Sequence, residues 1–230
     1  MNSKTLESKW QKKWEEAKVF ESEPKDGQEK YFVNCPYPYM NGYLHLGHAF
    51  TYLRADMVSR YQRMKNKNVL FPFAFHCTGT PIVAAAQRVK EGEKIQISAL
   101  KQMGLSDTLI KKFSDPEEWT KHFPDKAIED LKKFGSSIDW RRSFITTSLN
   151  PPYDRFIRWQ FNQLLKNDYL IKGSFPVVWC PKRETVVGDH DRLSGEGETP
   201  QEYTLLKFKG DGDYLVAATL RPETVFGQTN

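Results

Sequence analysis

Apolar positions change their spacing several times along the chain, and each change marks an element. Leu6, Trp10, Trp14 and Ala17 recur at steps of 4, 4 and 3 among Lys and Glu, which predicts an amphipathic helix packed onto the core as a clamp. YFVNC at 31–35 reads as a short strand, and PYPYMNG supplies Pro, Asn and Gly for a tight irregular loop. From Leu46 the period lengthens. Leu46, Phe50, Leu53, Met57, Tyr61 and Met64 lie 4, 3, 4, 4 and 3 apart, the spacing of a helix of about five turns. VLFPFAF at 69–75 is apolar on successive residues, as in a strand covered on both faces, and TPIVAAAQRVKEG restarts a helix with Pro81 near its first turn.

Strand, loop, helix, strand, helix predicts a parallel α/β sheet. Residues 94–134 read as helix in pieces: Asp115-Pro116-Glu117-Glu118 is a helix start with cap, N1 proline and acids, and Gly135 is a stop. Asn150-Pro151 opens another helix with Tyr153, Ile157, Phe161 and Leu164 or Leu165 on one face. Beyond Tyr169 the short runs FPVVWC, EYTLLKFK and DYLVAATL alternate with Gly- and Asp-rich turns. A β-rich unit is expected to begin near residue 175, with the chain ending inside it.

Composition adds limits. At 230 residues, 39% of them hydrophobic, the chain has material for a buried core and suits one to two domains rather than a complete large multidomain enzyme. Lys and Arg exceed the acids by 5 (34 against 29), a balance compatible with a polyanionic partner or with a solvated basic surface. Cysteines at 35, 77 and 180 form no C-x-x-C, so neither a zinc knuckle nor a disulfide framework is encoded, and a reducing compartment fits. The charged N-terminus lacks a signal peptide's apolar stretch, and no apolar run approaches the ~20 residues of a membrane span. The expectation is a cytoplasmic protein with no membrane contact.

The most chemical content lies in His45-Leu46-Gly47-His48, where a strand's carboxyl end meets a helix. That edge of an α/β sheet takes ligands, and a helix N-terminus offers unpaired N–H groups and about half a positive charge to phosphate. Gly47 would let a ligand lie against the backbone, and His45 and His48 could donate to phosphate oxygens. The plain alternative is two histidines that cap and solvate a helix end. A metal site is a weaker reading, because no third ligand lies nearby.

PYPYMNGYLHLGH followed by LFPFAFHCTGTPI resembles the nucleotide-binding core of class I aminoacyl-tRNA synthetases, specifically the leucyl-tRNA synthetase family of the archaeal and eukaryotic cytosolic branch. The likeness continues in order through DWRRSFITT, YDRFIRWQF, GDHDRLSGEG, PQEYTLLK and ATLRPETVFGQTN. Valine and isoleucine relatives usually carry an acid where FHCTG has His76, so the leucine assignment rests on that segment and on DHDRLSGEG.

The resemblance implies a Rossmann-like parallel-sheet catalytic core with its N-terminal helix over residues 1–175, a β-rich connective region over 176–200, and the beginning of an inserted editing domain over 201–230. It implies formation of leucyl-adenylate from leucine and ATP with Mg2+, then transfer to tRNA(Leu). His45, Gly47 and His48 fall on the ATP-binding signature, the two histidines as catalytic groups. Pro36, Tyr37, Tyr39 and His76 fall where the family holds leucine, a neutral His76 accepting from its ammonium group. The alternative for the two tyrosines is core packing. Thr219, Arg221 and Thr224 fall on the strip of the editing pocket, with Thr224 blocking cognate leucine.

Departures matter as well. Cys180 in WCPK stands without a following C-x-x-C, so no protein-bound zinc is expected, and Asp189-His190-Asp191 reads as a polar turn rather than a metal site. The family's second signature, KMSKS, does not occur. The expectation is an N-terminal part of the enzyme, inactive alone and completed by a C-terminal half. The competing readings are a non-catalytic tRNA-binding or assembly subunit and a small nucleotidyltransferase with an H-x-G-H turn.

Overall fold

In the computed structural model, which describes residues 3–182, 184–188 and 201–227, β1 (Lys30–Phe32) runs parallel to β2 (Asn68–Leu70) with Tyr31 opposite Val69. The apolar run 69–75 does not continue as one strand. Pro72 brings no N–H to a ladder, and the chain resumes as β3 (Ala74–Phe75), parallel to β4 (Phe144–Ile145). The expected parallel sheet is therefore present as two short parallel pairs, not as one continuous sheet. Phe71, Phe73 and Phe75 are all buried, each contributing about 1.5–3 kcal/mol.

The helices follow their sequence signals. They are α1 (Ser3–Glu16), α2 (Leu46–Met64), α3 (Thr80–Lys90), α4 (Lys94–Gln102), α5 (Asp107–Lys112), α6 (Pro116–Lys133) and α7 (Pro151–Lys166). Asp115 caps α6 by accepting the Glu117 amide at 2.9 Å, and Gly135 ends the segment at φ 80°. Trp119 and Phe123 of α6 pack in the core against Phe113, with Trp119 Nε1 donating to the Phe113 carbonyl at 2.7 Å.

Two helices depart from the facing that their stripes imply. No residue of α1 is buried, and Leu6 and Trp10 are exposed. The clamp holds through one turn only: Trp14 packs edge-on to Phe20, Glu15 pairs with Lys132 at 2.9 Å, and Gln11 donates to the Lys133 carbonyl at 2.7 Å. On α2 the apolar stripe points outward, Leu46 at 88% and Met64 at 85% exposure, while Tyr52, Asp56 and Ser59 are buried. Tyr52 packs on Phe73 at 4.9 Å, and beyond it directed bonds to residues 135–137 hold the helix.

The chain divides into two units, Met1–Ile171 and Lys172–Asn230. In the second, β5 (Trp179–Cys180) pairs antiparallel with β6 (Thr185–Val186). β7 (Thr204–Lys209) and β8 (Tyr214–Thr219) form a hairpin in register Thr204 to Thr219, turning through Gly212 at φ 102°. Asp189, His190 and Asp191 lie outside the described residues.

Candidate active site

The β1-to-α2 connection ends in His45, whose extended backbone makes it the N-cap of α2. Its Nδ1 accepts the Gly47 amide at 3.1 Å, and its own amide donates to His48 Nδ1 at 3.3 Å. This is a capping box built from two imidazoles. A nitrogen that accepts carries no proton, so both neutral rings hold their hydrogen on Nε2 and keep it as a donor. The rings lie 3.9 Å apart, and His48 stacks on Tyr52 at 6.0 Å. Burial, and secondarily the charge of His45, hold His48 below the usual histidine pKa. The result is two Nε2–H donors at the positive end of a 19-residue helix, suited to oxygens on which negative charge develops.

Gly47 has a local reason to lack a side chain. A Cβ there would stand 3.0 Å from His45 Cε1 and 3.1 Å from Nδ1, against the capping ring. The other family-implied residues of this loop divide. Tyr39 and His76 come together: their rings are 4.0 Å apart, the His76 amide donates to the Pro38 carbonyl at 2.9 Å, and the Met40 amide donates to the His76 carbonyl at 3.1 Å. His76 Nε2 is 3.2 Å from Thr78 Oγ1, and burial lowers the ring's pKa. Pro36 is exposed. Tyr37 instead packs edge-on against Phe73 and Phe144 at 6.1 and 5.8 Å, the core-packing alternative. Burial and Cys35 raise its hydroxyl pKa against a lowering bond to Asn34.

Phe73 joins the two clusters, touching Tyr37 on one side and Tyr52 at 4.9 Å on the other. Tyr52 and Thr78 were not singled out by motif, although Tyr52 lies one helical turn past His48 and Thr78 two residues past His76. Neither buried thiol is a nucleophile in waiting. Burial pushes Cys35 up to about 11 and Cys77 up to about 12.

In the second unit, Thr219 Oγ1 accepts the Arg221 amide at 3.0 Å, and Thr224 Oγ1 donates to the Arg221 carbonyl at 2.7 Å. Both hydroxyls thus close the turn into the 3-10 helix Pro222–Gly227, leaving the Arg221 side chain exposed. Among the described residues no group of three His, Cys, Asp or Glu side chains is placed to hold a metal ion, and no helix is long and apolar enough to cross a membrane.

The sequence pattern of the tRNA synthetases class I (I, L, M and V) matches residues 9–203. A leucine--tRNA ligase of Aeropyrum pernix is 52% identical over 99% of this chain and 24% of its own length. One from Methanococcoides burtonii is 48% identical over the whole chain and 24% of its own length, and the cytoplasmic leucine--tRNA ligase of Pongo abelii 41% over 99% of this chain and 25% of its own. The chain spans about a quarter of the length of these curated relatives. An Agrobacterium radiobacter LeuRS, solved in a ternary complex with tRNA and LeuAMS, superposes with a TM-score of 0.59 at 24% identity, covering 79% of this chain and 20% of that one, a likeness of fold.

Proposed function

The chain belongs to the class I tRNA synthetases (I, L, M and V), and on that premise we propose that it is the N-terminal part of a leucine–tRNA ligase. It binds leucine and ATP, the latter as its magnesium complex, and serves transfer of the leucyl group to tRNA(Leu). The observation that carries this reading is the reciprocal histidine cap, with both Nε2 atoms kept as donors.

In the first step a leucine carboxylate oxygen attacks the α-phosphorus of ATP. The new P–O bond forms as the bond to pyrophosphate breaks, and pyrophosphate leaves with that electron pair. Charge rises on the phosphate oxygens, where His45 and His48 donate; one such donor is worth about 2.7–4 kcal/mol in a preorganised site. Neither proton transfer nor a covalent enzyme intermediate is needed. The leucine ammonium group is held by the Pro36 carbonyl and neutral His76, with Tyr39 along the side chain and Tyr37 shaping the wall from its seat on Phe73.

One methylene in an apolar pocket discriminates by only about 1–3 kcal/mol, so leucine selection gains from a second hydrolytic pocket. Thr219, Arg221 and Thr224 are assigned to it, Thr224 excluding leucine. On this reading residues 1–175 form the first half of a Rossmann-like catalytic domain, 176–200 a connective region and 201–230 the start of the editing domain, in a cytoplasmic enzyme. The outward stripe of α2 supports a further polypeptide as its cover, drawn from the C-terminal part of the enzyme that this chain does not match.

Leucine-dependent ATP–pyrophosphate exchange, measured with and without a candidate C-terminal polypeptide, tests the reading. Exchange that appears with leucine and is lost in His45→Ala or His48→Ala supports it. tRNA binding with no exchange under either condition would replace it with a non-catalytic subunit.

A further inference from the structure

Past Tyr52 the inward face of α2 is polar, and Arg60 stands at the centre of the bonds that tie it to the rest of the unit. Arg60 Nε donates to Asp56 Oδ2 at 2.7 Å, and its Nη2 donates to the Gly135 carbonyl. The same guanidinium lies 5.1 Å from the ring centres of both Trp14 and Phe20, in the N-terminal segment. Around it, Asp56 Oδ1 accepts the Ser137 amide, and Arg63 donates to Ser137 Oγ at 2.7 Å and to its carbonyl at 2.9 Å while lying 5.2 Å over Phe20. Asp56, Arg60 and Arg63 thus form a seam against the 135–137 turn, capped by two aromatic rings.

Such a seam differs from ordinary helix packing. Apolar contact is non-directional and tolerates small slides and rotations of a helix. Hydrogen bonds to a guanidinium and a carboxylate carry distance and angle requirements, which leave one axial position and one rotation. An α-helix of 19 residues is a rod of about 28 Å, so fixing its second half places its first turn. That turn carries His45 and His48.

We infer that Arg60 is a positioning residue for the histidine pair, and that Trp14 and Phe20 hold its guanidinium in place. The catalytic consequence rests on the synthetase reading above; the structural one, order in the first turn of α2, does not. The role is specific to arginine. Lysine has one ammonium group and no plane, so it cannot pair with Asp56, reach Gly135 and lie between two rings at once.

The test compares wild type, Arg60→Lys and Phe20→Leu, the last removing one ring while sparing the ion pair. Hydrogen exchange on the 230-residue chain is expected to rise on the order of tenfold at the Gly47–Thr51 amides in Arg60→Lys, and less in Phe20→Leu, with α6 unchanged. In an exchange-active preparation, the rate of leucyl-adenylate formation per active site falls on the order of tenfold to a hundredfold in Arg60→Lys, with the KM for leucine and the burst amplitude preserved. A lower burst amplitude at an unchanged rate per site would make Arg60 merely structural and overturn the proposal. So would unchanged first-turn exchange in both variants. If wild type makes no adenylate even with the C-terminal polypeptide present, while Arg60→Lys still loosens the first turn, the synthetase reading fails and the positioning role stands.

Discussion

His45 and His48 each accept a backbone N–H on Nδ1, one from Gly47 at 3.1 Å and one from His45 itself at 3.3 Å. The helix end therefore decides the tautomer of both rings. Capping uses Nδ1, and the phosphate contact proposed above would use Nε2 of the same imidazole, so the two roles can be separated by substitution.

An asparagine amide reaches about as far as Nδ1, and a glutamine amide about as far as Nε2. His48→Asn is expected to keep the cap while slowing adenylate formation about 10²–10³-fold. His48→Gln is expected to retain more activity and to lose about 0.5–2 kcal/mol of stability with the cap. Pyrophosphate exchange and urea unfolding, run side by side, check the crossed pattern; parallel losses in both variants would refute it.

Stability should fall on mild acidification. Burial lowers the pKa of His48, His76 and His122 from the usual 6.5. Below that value the unfolded chain binds protons that the folded chain refuses, so this contribution is complete above about pH 6.5 and is lost as pH falls through the folded values. Asp139 acts in a separate range. Burial alone would raise its pKa, but bonds from Arg141 and the Ser22 amide hold it below 3.8. The melting temperature is expected to drop between about pH 7 and pH 5, and His122→Gln to flatten the drop. An unchanged melting temperature across that range would contradict the histidine assignment.

Much of this was legible in the sequence where local physics decides. The Asp115–Pro116 start of α6, the Gly135 stop and the histidine turn at the head of α2 are written in caps, proline and period. Facing was not legible. The stripe of α2 predicts a helix correctly, but periodicity cannot say which face meets the core when the inward face is held by Asp56, Arg60 and Arg63 to a turn some 75 residues away. Tyr37 illustrates the same limit. Its spacing from Tyr39 suggests a shared role, and only the fold turns one ring onto Phe73 and the other onto His76.

Gly47→Ala tests the local geometry. The added methyl would press on the His45 ring at about 3.0 Å, so the ring must swing and give up the Gly47 amide. The expected outcome is a folded protein with ATP affinity lowered by about tenfold or more, because ring orientation and not mere presence supplies the donor. Equilibrium dialysis with ATP reads it, and wild-type affinity in the variant would show that the ring accommodates the methyl without moving its Nε2.

Phe50 and Met57 belong to the outward stripe of α2, 65% and 62% exposed, and neither is among the residues that hold the helix to its unit. Replacing both with serine should leave the melting temperature of the 230-residue chain nearly unchanged, since surface substitutions usually stay within about 0.5 kcal/mol. The same double variant should reduce self-association of the chain in sedimentation velocity, because a contiguous apolar stripe is the surface that neighbouring molecules would share. It should also weaken capture of the proposed C-terminal polypeptide, by about tenfold or more if the two side chains together contribute at least 1.4 kcal/mol. A large loss of melting temperature would mean that the stripe is part of the unit's own core. An unweakened complex would mean that the cover of α2 lies elsewhere.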